Sequence, residues 1–350
     1  MREAMDDQAQ TLSRIEATGL RYVESEHSGL RRRRQGRGFI YVDDEGRPVR
    51  DEAALRRIKS LAIPPAWESV WICSDEQGHI QATGRDAKGR KQYRYHPEWS
   101  ALRNQTKFDR LAEFGAVVPR IRRRVAKDLR RQGLPQDKIV ALAVRLLEST
   151  LIRVGNEEYT RSNASYGLTT LRSKHVRVNG TSIQFRFRAK SGKLRAVDER
   201  DARLARLVRR CQELPGQELF QYLDENGEPA RIDSRDVNTY LQEATAGDFS
   251  AKDFRTWAGT VGTIEILRKQ DYAETTAERE RVLQQAIREI TEQLGNTVAV
   301  AKRYYIHPDV LESYRDGSFV ERLRGPQGVP HGLDERERWA LRFLRSAGSG

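Results

Sequence analysis

The chain is 350 residues long, 37% hydrophobic and 8% aromatic, enough apolar material for two cores of ordinary size. Its 63 Lys and Arg outnumber 50 Asp and Glu, a net charge of +13 that points to a polyanionic partner, and the first hundred residues hold only 18 of these bases against 16 of the acids. Two distant cysteines, Cys73 and Cys211, argue against a disulfide framework or zinc site, and the lack of an 18-residue apolar run or signal-type leader argues against a membrane span, so a cytoplasmic chain is expected.

Residues 20 to 95 are interrupted by Gly and Asp-Glu-Gly turns and hold short β-type runs at 38–42, 70–73 and 79–83. A helix is predicted over 51–61, stopped by the prolines of Ile63-Pro-Pro-Ala-Trp67. From Pro97 the apolar spacing becomes helical, with helices expected over 99–113, 117–132 and 136–153. In the last, Ile139, Leu142, Ala143, Leu146, Leu147 and Leu151 recur at helical intervals. A boundary near 97 would divide a β-rich N-terminal domain, 1–97, from a mainly α domain, 98–350. Inside the second domain, 169–172, 175–178 and 182–188 read as strands, with Asn179-Gly180 as a type I′ hairpin signal. The turn Arg188-Ala-Lys-Ser-Gly-Lys193 leads to a further strand over 194–197, so a three-stranded β meander with lysines at its last turn is predicted. Helices resume over 199–212, 233–245, 251–268, 276–294, 297–305 and 333–346. The fold class expected is α+β.

Nucleotide and metal chemistry find little support. Gly84-Arg-Asp-Ala-Lys-Gly89-Arg-Lys has the glycine spacing of a P-loop without its GK[ST] ending, the six histidines are scattered with no HExxH, and Asp43-Asp44 lies in a turn. Phosphate chemistry would then run on side chains alone. Cleaving a phosphodiester that way needs a nucleophile, fixed positive charge on the developing phosphorane and an acid for the leaving alkoxide. Arg matches phosphate oxygens with its planar fork, and Lys, with an ordinary pKa of about 10.4, can protonate a far more basic alkoxide. A tyrosyl phosphodiester keeps the bond energy for resealing. Candidates for these roles follow one another along the chain: Arg153 in Leu151-Ile-Arg-Val-Gly-Asn156, Lys190 with Lys193 nearby, and Arg255 in Ala251-Lys-Asp-Phe-Arg-Thr-Trp257. Asn296 follows in Leu294-Gly-Asn-Thr297, then the adjacent Tyr304 and Tyr305.

This order and these local sequences resemble the type IB DNA topoisomerases of the compact poxvirus and bacterial kind, over about residues 20 to 316. The resemblance implies a bilobed clamp on duplex DNA with a catalytic fold related to that of tyrosine recombinases. It implies relaxation of supercoils through a 3′-phosphotyrosyl intermediate, by a monomer using no cofactor, metal or nucleotide triphosphate. Its nucleophile lies nine residues beyond the Gly-His/Asn-Thr element, which selects Tyr305 over Tyr304. Arg153 and Arg255 would hold the nonbridging oxygens, and Lys190, in preference to Lys193, would protonate the 5′-oxygen. Asn296, where poxvirus members carry His, would give a weaker contact to a phosphate oxygen without loss of fixed charge. Gly155, Tyr159 and Asn163 resemble residues that track the DNA backbone, and Gln92 with Tyr93 resembles the groove contact of the N-terminal domain. Asn156 replaces a basic residue of the poxvirus members.

Two other readings fit part of the sequence. A tyrosine recombinase would share the chemistry, yet recombinases usually carry His three residues before the second arginine, where this chain has Lys252, and a helical N-terminal arm. A noncatalytic DNA-binding protein would explain the charge, with the tyrosines in a core. Taken singly, Arg153 reads as a cation at a helix C-terminus and Arg255 as a surface ion-pair former. Arg31 to Arg34 read as a solvated patch that adds salt-dependent affinity.

Overall fold

The computed structural model describes residues 15, 18–25, 28–157, 160–161, 164–271, 273–325 and 328–346. Strand gives way to helix at Pro97, and the chain divides by internal contact into two units between Lys107 and Phe108.

The first unit is built on a five-stranded antiparallel sheet of β1 (Leu30–Gln35), β2 (Gly38–Val42), β3 (Glu68–Ile72), β4 (Ile80–Arg85) and β5 (Lys91–Tyr95), in the order β2-β1-β3-β4-β5. Helix α1 (Glu52–Ser60) starts where the Asp51 carboxylate accepts the Ala54 N–H, and it buries Ile58 against Val70, Ile72 and Ala82. The arginine run lies in β1, and pleating separates its members. Arg31, Arg33 and Arg34 are exposed, but Arg32 turns inward and donates to the carbonyls of Pro64 (3.0 Å) and Trp67 (2.6 Å), its guanidinium 4.2 Å from the Phe39 ring centre. The expected solvated patch therefore loses one member, which ties down the loop after α1.

Helix α2 (Pro97–Asp109) leads to the larger unit, which is mainly helical: α3 (Leu111–Asp128), α4 (Gln136–Thr150), α5 (Ala202–Gln212), α6 (Ser234–Thr245), α7 (Ala251–Arg268), α8 (Thr276–Leu294), α9 (Val298–Tyr304), α10 (Pro308–Asp316), α11 (Phe319–Arg322) and α12 (Glu335–Ser346). Its core gathers around α4, whose residues from Lys138 to Val144 are all buried. The break expected at 114–116 is absent. Gly115 sits there inside α3 and serves close packing, since a Cβ on it would come within 2.4 Å of the Trp257 ring. The meander β6 (Val176–Asn179), β7 (Ser182–Arg188), β8 (Leu194–Arg200) turns Ile183, Phe185 and Phe187 into this core. Its first hairpin turns on Gly180 and Thr181, with positive φ at Gly180 alone (56°), which is the type II′ rather than the type I′ pattern. The strand expected over 169–172 is instead a 3-10 turn at Leu168–Thr170, because Thr169 and Thr170 hydroxyls bond the carbonyls of Val154 and Gly167. A small hairpin, β9 (Gln221–Leu223) with β10 (Pro229–Arg231), and helices α10 and α11 were not expected from the sequence.

Candidate active site

The C-termini of α4 and α8 converge on one arginine. Helix α4 ends at Thr150, short of the predicted residue 153, because Leu151 adopts a left-handed conformation (φ 55°, ψ 20°). For a leucine this costs about 1 to 3 kcal/mol, and it turns the Leu151 carbonyl to accept a hydrogen bond from Arg255 Nη1. Arg153 thus lies on the extended segment beyond the helix. The Arg153 and Val154 carbonyls accept the N–H groups of Leu168 (2.8 Å) and Thr169 (2.7 Å). Gly155 (φ 106°) and Gly167 allow these segments to touch, since a Cβ on Gly167 would stand 2.5 Å from Gly155 Cα.

Helix α8 closes on Gly295 (φ 60°) in a Schellman motif: Gly295 N–H returns to Glu292 O and Asn296 N–H to Thr291 O, both at 3.1 Å. The last carbonyl of the helix, that of Leu294, accepts Arg255 Nη2 at 2.7 Å. Arg255, only 4% exposed, therefore bridges both helix ends, where the macrodipoles favour a cation. Burial pulls its pKa down to about 10, the like charge of Arg153 adds to this, and Tyr305 opposes it. Arg153 Nη2 in turn donates to Asn296 Oδ1.

Tyr305 reaches this group through α7. Arg255 and Gly259, four residues apart, share one face of that helix, and the Tyr305 backbone seats on the glycine, where a Cβ would lie 2.3 Å from Tyr305 O. The Thr260 hydroxyl donates to Tyr305 O (3.5 Å) and accepts His307 N–H (3.1 Å), fixing the chain just past α9. The Tyr305 ring centre is 5.1 Å from Arg255 Cζ. Tyr304 is 38% exposed, with Arg303 Cζ 5.3 Å from its ring centre.

Arg153, Lys190, Lys193, Arg195, Arg255 and Asn296 line a cavity of about 220 Å³, and apart from Glu292 its polar lining is cationic or donor-rich. Lys190, in a 3-10 turn (Lys190–Gly192), and Lys193 are both exposed at its rim. Arg255 Nε and Asn296 Nδ2 are buried without a hydrogen-bond partner, and an oxyanion seated in the cavity is the kind of partner they lack. Among the described residues no group of three or more His, Cys, Asp or Glu side chains could hold a metal ion.

Of the sequence candidates, Arg153, Lys190, Arg255 and Asn296 share this cavity and Tyr305 borders Arg255. Gly155 is explained by backbone packing, while Tyr159 and Asn163 lie outside the described residues. Gln92 and Tyr93 belong to β5 of the first unit. Gln92 Nε2 donates to Asp86 Oδ2 (3.0 Å), and the 41% exposed Tyr93 stacks on Tyr95 at 5.7 Å, with Lys91 Nζ also 5.7 Å from its ring centre. Two residues were missed: Gly259, which could have been found from its spacing to Arg255, and Arg195, for which the sequence holds no local signal.

Residues 92–321 match the family model described as eukaryotic DNA topoisomerase I, catalytic core, and residues 38–86 match that of bacterial DNA topoisomerase IB, N-terminal domain. The chain is 32% identical over 327 residues to DNA topoisomerase 1B of Acanthamoeba polyphaga mimivirus, covering 91% of this chain and 95% of that one. It is 23% identical over 296 residues to DNA topoisomerase 1B of vaccinia virus (strain Western Reserve), covering 81% and 90%. Among solved structures, the XerH site-specific recombinase bound to its difH substrate aligns over 55% of this chain and 51% of that one at 12% identity, with a TM-score of 0.34.

Proposed function

Because the chain belongs to the type IB DNA topoisomerase family, we propose that it relaxes supercoiled duplex DNA through a transient break in one strand, with Tyr305 as the nucleophile. The Tyr305 oxygen attacks the scissile phosphorus and loses its proton to solvent, the bond to the 5′-oxygen breaks, and the Lys190 ammonium protonates that oxygen. The products are a 3′-phosphotyrosyl ester and a 5′-hydroxyl. Arg153 and Arg255 hold the two nonbridging oxygens and Asn296 Nδ2 donates to one of them, stabilising charge that is largest in the transition state. The free strand then rotates under torsional stress, and attack by the 5′-hydroxyl restores the diester. The ester conserves the energy of the broken bond, so the cycle needs no ATP.

The observation that carries this reading is Arg255 itself: pinned between two helix ends, beside Arg153, with the Tyr305 ring against its guanidinium and a cation-lined cavity of about 220 Å³ adjoining. The five proposed catalytic residues all belong to one unit of one chain, which supports a monomer acting on duplex DNA. The first unit serves as the DNA-holding domain, with Tyr93 and Gln92 in its contact surface. Gly155, Tyr159 and Asn163 follow the backbone near the break. The match to a bacterial N-terminal domain supports action in a bacterial cytoplasm, at the nucleoid.

The test is incubation with supercoiled plasmid in EDTA without ATP. A ladder of relaxed topoisomers and a protein–DNA adduct at the 3′ end are expected, and Tyr305→Phe should yield neither while Tyr304→Phe retains both. Relaxation persisting in Tyr305→Phe would overturn the nucleophile, and strand exchange requiring two paired sites would favour a recombinase.

A further inference from the structure

We propose that Arg195 is a positioning residue of the cleavage step, acting through Asn296: it locks the end of α8 so that the Asn296 amide is presented to Arg153 and to the phosphate. The inference rests on the topoisomerase reading above and names a residue outside its reacting groups. The last turn of a helix leaves its carbonyls without helical partners. In α8 the Schellman closure uses those of Thr291 and Glu292, and Arg255 takes that of Leu294. The remaining one, Gln293 O, accepts Arg195 Nη2, while Arg195 Nη1 adds a second bond to Glu292 O at 3.2 Å. Two guanidiniums, one from α7 and one from β8, thus share a single helix end.

Asn296 is the second residue past that helix. Its N–H is fixed on Thr291 O, and the intervening Gly295 lies so close to Arg195 that a Cβ would come within 2.6 Å of Nη1. The backbone that places Asn296 is therefore held from one side by the Schellman bonds and from the other by Arg195. What remains free is the side-chain rotamer, which the bond from Arg153 Nη2 to Oδ1 selects, leaving Nδ2 as the unpartnered buried donor. Both terminal nitrogens of Arg195 bond carbonyls of the same helix end. This makes it a brace for the turn that carries Asn296.

A double-mutant cycle reads this directly. Adduct formation is followed in a single turnover for the wild type, Arg195→Ala, Asn296→Ala and the double variant, with DNA affinity and Tm measured for each. In the wild-type background Arg195→Ala is expected to slow adduct formation roughly 10- to 100-fold with little change in affinity, the scale of effect that small misplacements produce. In the Asn296→Ala background the same change should have little further effect, because the group it positions is already gone. Arg195→Lys restores charge but not the two-pronged grip and should recover little of the rate; Arg195→Gln, retaining one donor, replaces Arg195→Ala should that variant fold poorly. Equal fold-losses in both backgrounds, full rescue by lysine, or a lower Tm at unchanged rate would each overturn the proposal. A wild type that forms no adduct would instead overturn the topoisomerase reading beneath it.

Discussion

An arginine that donates to two helix-terminal carbonyls and lies over a tyrosine ring has few conformations open to it, and Arg255 is held in this way before any phosphate arrives. Preorganised charge of this kind is worth most where charge develops. Arg255→Ala is therefore expected to lower the rate of adduct formation by about 10² to 10³, measured in a single turnover. Arg255→Lys should recover only part of this, since an ammonium cannot reach both carbonyls and a phosphate oxygen together. Burial also sets a pH limit. With its pKa drawn down to about 10, Arg255 carries its charge below that pH and loses it above, so cleavage should decline as pH rises through 10. A bound phosphate favours the protonated form and moves the decline upward. In Arg255→Lys the decline should begin at lower pH, because the ammonium starts from an ordinary value of about 10.4; profiles that superimpose would assign the alkaline limb to another group.

The elements hold these side chains by close contacts that a single methyl group would disturb. Gly259→Ala puts a Cβ 2.3 Å from Tyr305 O, and the nucleophile's segment must withdraw from α7. The expected result is a loss of about 1 to 3 kcal/mol in unfolding free energy and a cleavage rate down by about 10². Wild-type cleavage by this variant would show that Tyr305 needs no seat on α7. A second contact sits where α3 ends. The Asp128 carboxylate, 2% exposed, accepts from the Tyr240 hydroxyl (2.8 Å) and Arg131 Nε (2.9 Å). Burial alone would raise its pKa, but Tyr240, Arg131 and Arg124 more than offset this and hold it below the usual carboxylate value. A depressed carboxylate stabilises the fold above its ordinary pKa, and that contribution is lost as pH falls through the folded value. Asp128→Asn should cost about 2 to 3 kcal/mol at pH 7 and flatten the acid limb of stability, read from denaturation midpoints between pH 2 and 7. Much of this scaffold was legible in the sequence, because α4, α7 and α8 carry long apolar patterns that only a helix can bury. The boundary expected at 114–116 lies instead at Arg110, and Gly115 sits inside α3 in contact with an indole ring. Leu151 was invisible, since nothing local favours positive φ in a leucine, and with it went the reason why Arg153 leaves the helix. The order of Arg153, Lys190, Arg255, Asn296 and Tyr305 stood out through short motifs, whereas Arg195 is one arginine among many on a basic chain and its grip on α8 exists only in the folded state.

At the scale of the whole molecule the net charge of +13 makes DNA affinity a function of salt, and the fold decides which cations contribute. Each phosphate neutralised on duplex DNA adds about −0.9 to the slope of log affinity against log salt. Within β1 the basic run is already divided by what each side chain meets: Arg33 and Arg34 are exposed, whereas Arg32 spends its donors on the carbonyls of Pro64 and Trp67. Arg33→Gln and Arg34→Gln should each make the slope shallower by about 0.9, without changing stability. Arg32→Gln should leave the slope where it is and lower the Tm, because it strands carbonyls of the loop after α1. The comparison is informative because the three substitutions are chemically identical and the sites are consecutive, so composition predicts one outcome for all. If all three shift the slope alike, β1 acts as an undifferentiated basic strip and the inward turn of Arg32 has no consequence for binding. If neither Arg33 nor Arg34 shifts it, the DNA path avoids β1, and the affinity must come from the larger unit, where most of the excess charge lies.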